Sequence, residues 1–141
     1  MEPKDVILII QGTQQVEGEE PQTMELTTDG TLQSVEGRYI VTYTESELTG
    51  LDGTLTTFDV WKNKVILTRS GAIHSRMVFD PGVVDSSLYD TGYGAVLMEV
   101  RARSVTAELT DTGGYFDIDY SVCIEQSYAG RMRYHIEVKT A

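Results

Sequence analysis

Glu45, Glu47 and Arg69 are the residues whose spacing best suits chemistry. At positions i and i+2 of an extended chain, two carboxylates share a face and stand about 7 Å apart. They continue the parity of Tyr39, Val41 and Tyr43, which reads as an inner face, and Arg69 has the inward parity of Val65 and Leu67. Inward carboxylates cost desolvation energy unless they are paired or wet, and Arg69 is the natural partner. Such a cluster would form a polar pocket able to bind a cation or hydrogen-bond a ligand. Two carboxylates could also serve as general acid and base if one pKa is raised. The competing reading is a strand leaving the sheet, with both glutamates in solvent or in a structural ion pair.

The remaining reactive side chains point less clearly to a site. Asp-Thr-Gly occurs twice, at Asp90–Gly92 and Asp111–Gly113. Aspartic proteases use this triplet, but both copies fall where hairpin turns are expected and suit turn chemistry instead. His74 and His135 each alternate onto the polar face of a strand, and no partner stands at a recognised metal-ligand spacing. Cys123 reads as outward, with nothing nearby to lower its pKa. Gly92-Tyr93-Gly94 is too short to cradle a phosphate and no helix follows it. No metal or cofactor is therefore expected. Arg131, Arg133 and Lys139 form a small basic stripe beside His135, expected to pair with Asp117 and Asp119 across a hairpin.

The elements that must position these residues are strands. Period-two alternation, the mark of a half-buried strand, is clearest in Tyr115–Glu125 and Arg131–Lys139. Phe116, Ile118, Tyr120, Val122 and Ile124 share one face of the first; Met132, Tyr134, Ile136 and Val138 share one face of the second. Similar runs begin at Val6, Tyr39, Thr54, Val65, Ile73, Val96 and Val105, with weaker ones at Met24–Thr28 and Thr31–Val35. Turn signals separate them: Asp29-Gly30, Glu36-Gly37, Asp52-Gly53, Lys62-Asn63, Ser70-Gly71, Pro81-Gly82 and Gly113-Gly114. Ser86–Tyr89 has room for one helical turn. Hairpin-joined strands at short spacing suggest an up-and-down meander, and closure removes its exposed edges. The expectation is an all-β chain folded as one antiparallel barrel of eight to ten strands over residues 1–141, with a sandwich as the alternative.

Composition narrows the function. With 22 acidic and 11 basic residues among 141, the formal net charge is −11. That opposes contact with phosphate backbones and anionic lipid, so neither nucleic acid nor membrane is expected as a partner. One cysteine cannot make an intrachain disulfide, and Val6–Ile10 is too short for a signal core or a span, so the cytoplasm is the expected compartment.

One stretch is distinctive. Tyr43-Thr44-Glu45-Ser46-Glu47-Leu48-Thr49-Gly50, followed by Gly53-Thr54 and Thr56-Thr57, resembles the central signature of the YwiB-like proteins, a bacterial family known as domain of unknown function 1934. Agreement continues at Ile9–Gln14, Ser75–Phe79, Ser87-Leu88-Tyr89, Tyr93-Gly94 and Gly113-Gly114. The resemblance implies a calycin-like β-barrel, related in shape to lipocalins and fatty-acid-binding proteins, and carries no catalytic residues. The residues themselves lead to a small-molecule binding barrel, with Tyr39, Tyr43, Glu45, Glu47, Thr56, Phe58, Arg69 and Met77 as its candidate lining. The alternatives are a non-catalytic interaction or scaffold protein with a filled barrel, able to form a homodimer through a patch at Leu97, Val78 and Trp61, and an enzyme built on Glu45, Glu47 and Arg69.

Overall fold

The alternation seen in the sequence becomes ten strands in the computed structural model, which describes residues 2–47, 51–90 and 93–141. They are β1 (Lys4–Val16), β2 (Gln22–Val35), β3 (Arg38–Thr44), β4 (Leu55–Val60), β5 (Val65–Ser70), β6 (His74–Phe79), β7 (Val84–Asp90), β8 (Ala95–Thr110), β9 (Gly113–Ile124) and β10 (Ser127–Thr140). Each pairs antiparallel with its neighbour in sequence, and β10 returns to pair with β1, closing a barrel. The up-and-down barrel is thus observed at the upper end of the expected strand number. No helix is long and apolar enough to cross a membrane among the described residues.

Three expected boundaries are corrected. Asp29-Gly30 is not a turn but the interior of one long β2. A Cβ on Gly30 would meet the Thr42 carbonyl oxygen at 2.6 Å and Leu8 Cδ1 at 2.7 Å, so this glycine permits close packing against β1 and β3. The runs at Val96 and Val105 are one strand, β8, whose register slips between Ala102 and Ser104. That bulge leaves Arg103 unpaired and switches the inward parity from Met98, Val100 and Ala102 to Val105, Ala107 and Leu109. Ser86–Tyr89 belongs to strand β7 and forms no helical turn.

Cross-strand register arranges the interior in belts around β3 to β6. The lowest runs Tyr39, Val60, Val65, Phe79; the next Val41, Phe58, Leu67, Met77; the third Tyr43, Thr56, Arg69, Ser75. The two lower belts pack against Leu8, Ile10, Leu32, Phe116, Ile136 and Val138, all fully buried or nearly so. The Phe58 and Phe116 rings meet edge to face at 5.2 Å. One end of the barrel is therefore filled with hydrocarbon, and the chemistry is confined to the third belt.

Closure is weakest between β6 and β7, whose ladder among the described residues is the single pair His74–Asp90. Side chains take over there. Asp85 Oδ2 accepts from the Val78 amide at 2.9 Å, and Ser87 Oγ donates to the Arg76 carbonyl at 3.4 Å.

A candidate polar pocket at one mouth of the barrel

The third belt opens towards the mouth formed by the ends of β1, β3 and β5. Glu45 lies just beyond β3, yet its backbone is still held. Its amide donates to the Thr54 carbonyl at 2.8 Å, and its carbonyl accepts from Gly53 at 3.3 Å. This keeps the side chain pointing inward, with only 1% of it exposed. Thr56 Oγ1 donates to Glu45 Oε2 at 2.6 Å, and Arg69 Nε stands 3.7 Å from the same oxygen. Arg69 is the partner that parity suggested.

Tyrosines complete the cluster. Burial, and next the Glu45 carboxyl, push the Tyr43 pKa well above its ordinary value, so its hydroxyl remains a protonated donor. Burial does the same for Tyr120, reinforced by Tyr134, and the Tyr120 and Tyr134 rings stack at 6.2 Å. Desolvation works to lower the Arg69 pKa, but Tyr134, Tyr43 and Glu45 outweigh it, and the guanidinium stays charged. Tyr134 fits because Gly12 pairs opposite it in the β1–β10 ladder. A Cβ on Gly12 would press on Tyr134 Cε1 at 3.0 Å.

Between these groups is a cavity of about 180 Å³, walled by Ile10, Met24, Leu51, Phe58 and Leu67 and by the polar Tyr43, Glu45, Arg69 and Tyr134. A second hollow, outside it along β1 and β2, shares Met24 and Tyr134 as walls. Glu45 Oε1, Arg69 Nε and Ser75 Oγ are buried and make no hydrogen bond among the described residues. Orphaned buried polar atoms are rare in native folds and each calls for a cause.

The structure divides the sequence candidates. Tyr43, Glu45, Phe58 and Arg69 line the cavity, Thr56 supports Glu45 from the same belt, and Met77 lies one belt below, buried in the core. Two candidates are misplaced. Glu47 is exposed and outside the strand, because alternation ends where the chain leaves the ladder after Glu45, so no inward carboxylate pair exists. Tyr39 belongs to the opposite end of the barrel, where its hydroxyl donates to Asp111 Oδ1 at 3.0 Å. Tyr134, Met24, Ile10 and Ser75 were not among the candidates. Tyr134 and Ser75 carried the right parity, but their height in the barrel is set by register.

The other sequence features resolve as surface structure. Arg131 grips Asp119 through two bonds of 2.6 and 3.0 Å, and His135 Nδ1 lies 2.5 Å from Asp117 Oδ1, both across the β9–β10 hairpin, while Lys139 lies 3.8 Å from Glu137 on its own strand. Asp111–Gly113 spans the β8–β9 turn and the first residue of β9. Thr91 and Gly92 of the other triplet, and Leu48–Gly50 of the distinctive stretch, lie outside the described residues. Ile124, the last residue of β9, is exposed, against its inward parity. Trp61 has two cations beside it, with Arg38 5.5 Å and Lys64 4.4 Å from its ring. Among the described residues no group of three or more His, Cys, Asp or Glu is placed to hold a metal.

A closed antiparallel barrel with one filled end and one polar mouth defines the class of protein, an up-and-down β-barrel. It is similar in fold to the crystal structure of ywiB protein from Bacillus subtilis, with a TM-score of 0.78 and 18% identity over 98% of this chain and 94% of that one. Residues 8–136 match the family described as Domain of unknown function (DUF1934), and the chain belongs to that family. No curated protein matches it.

Proposed function

We propose that this barrel binds a small molecule through the polar mouth. The observation that carries the reading is the buried Glu45, which lines a cavity with mostly apolar walls and whose Oε1 has no hydrogen-bond partner among the described residues. Leaving such a group unsatisfied costs about 1–3 kcal/mol, which a bound ligand or ordered water would recover. Apolar walls with a few convergent polar groups are the usual make-up of a ligand site. The volume suits a modest ligand, since an apolar cavity of about 150 Å³ takes up benzene. Catalysis has less support, because Glu47 is absent from the pocket and the acid–base pair lacks its second carboxylate. A cytoplasmic setting belongs to the same proposal and is supported by the single cysteine and the acidic charge.

The test compares native and denaturing mass spectra of purified protein, alongside melting temperature across a panel of small amphipathic metabolites. The expected result is an additional mass lost on denaturation, or a rise in melting temperature that Arg69→Met abolishes. Identical masses together with an unmoved melting temperature would dismiss the proposal.

A further inference from the structure

The ligand's chemistry can be taken further, on the premise that the mouth binds one. Glu45 and Arg69 form an ion pair, so the pocket already balances one negative charge with one positive. A ligand carrying net charge would leave a charge uncompensated beside a side chain that is 1% exposed, a strongly unfavourable arrangement. The same pair nonetheless offers two unused hydrogen-bonding atoms of opposite kind. Glu45 Oε1 can only accept and Arg69 Nε can only donate. One group that donates and accepts through neighbouring atoms satisfies both.

We propose that the ligand is an uncharged molecule of about one ring, presenting an N–H donor beside a C=O acceptor, as a carboxamide, lactam or imide does. The N–H faces Glu45 Oε1 and the carbonyl oxygen faces Arg69 Nε. The apolar body lies against Phe58, Leu67 and Ile10, which line the same cavity. The head selects against ions of either sign, and the walls select against larger frames.

Four molecules of nearly one shape separate the possibilities: benzamide, benzoate, benzamidine and toluene. Each is titrated into the intact protein at millimolar concentration, with nitrogen-15 NMR following the Arg69 Nε–Hε resonance. Benzamide is expected to move that resonance and to bind at least about tenfold more tightly than the other three, the scale set by an unpaired buried charge or an unmet polar group. Glu45→Gln should collapse the discrimination against benzoate, since the balancing negative charge is gone. Benzoate or benzamidine binding as tightly as benzamide would overturn the neutral-ligand assignment while leaving the pocket itself supported. Equal binding of toluene would overturn the role of the polar head. Failure of all four to bind would remove the pocket reading as well. Should Glu45→Gln not fold, the ranking of the four molecules on the wild-type chain still decides the matter.

Discussion

The barrel has two unlike sides. On one, β8, β9, β10, β1 and β2 run for 12 to 16 residues each and pair along their length. On the other, β3 to β7 span only 6 or 7 residues. The buried polar and charged side chains among the described residues, Glu45, Thr54, Thr56 and Ser75, all belong to the short side. So does the weak β6–β7 seam. Long, well-paired strands give a rigid wall with an apolar inner face. The short strands tolerate unmet polar atoms because the wall opposite supplies the packing that holds the fold. The unmet polar atoms are thus gathered on the short side, while the long side completes the cavity with Ile10, Met24 and Tyr134, as expected where functional features strain a local rule that the rest of the fold offsets.

That division makes ranked predictions. The largest effect should come from the long side: Phe116→Ala removes a fully buried ring and should cost about 3–5 kcal/mol in denaturant unfolding. On the short side, Arg69→Met strands the buried Glu45 carboxyl and should cost about 3 kcal/mol. The double variant Glu45→Gln with Arg69→Met should regain most of that loss, because a neutral pair needs no partner charge. If Arg69→Met proved as costly as Phe116→Ala and the double variant recovered nothing, the polar mouth would be part of the structural frame, and the contrast would fail. Next, Asp85→Ala deprives the Val78 amide of its acceptor and should cost about 1 kcal/mol. Hydrogen exchange should then quicken along β6 and β7 while β9 and β10 stay protected; quickening on both sides would refute a local seam.

The smallest effect is a pH dependence on the outer face of the long side. The hydrogen bond to Asp117 raises the His135 pKa above its ordinary 6.5. Protonated His135 is therefore favoured in the folded state. Its stabilisation is complete below the ordinary value and disappears as pH rises through the raised one. Asp117→Asn should flatten that slope in denaturant midpoints taken across neutrality. The ring is exposed enough for solvent to keep the effect modest.

Parity made the inside and outside legible. Tyr43, Phe58, Phe116 and Tyr120 were assigned inward from alternation alone and are buried. The Glu45–Arg69 pair followed from the same rule. Height along the barrel axis was not legible, because it depends on which residues of adjacent strands lie opposite one another. Tyr39 and Tyr43 share a face yet serve opposite ends. Tyr134 reaches the pocket only through the β1–β10 register. Glu47 shows where parity stops applying: the rule holds only while the backbone remains in a ladder. The β9–β10 turn is another such case. Glu125 and Gln126 both take positive φ, 50° and 71°, without the Asn-Gly or Asp-Gly pair that usually announces such a turn.

Arg103 is a supernumerary residue of β8, since its neighbours Ala102 and Ser104 pair with the consecutive residues Tyr120 and Asp119. Excising Arg103 would alter no apolar side chain. It would also leave the ladder unbroken, with Ala102–Tyr120, Ser104–Asp119 and Val105–Ile118 as successive pairs and every inward residue of the strand keeping its face. At this point a one-residue deletion should be better tolerated than elsewhere in β8, where it would send the apolar side chains that follow to the opposite face.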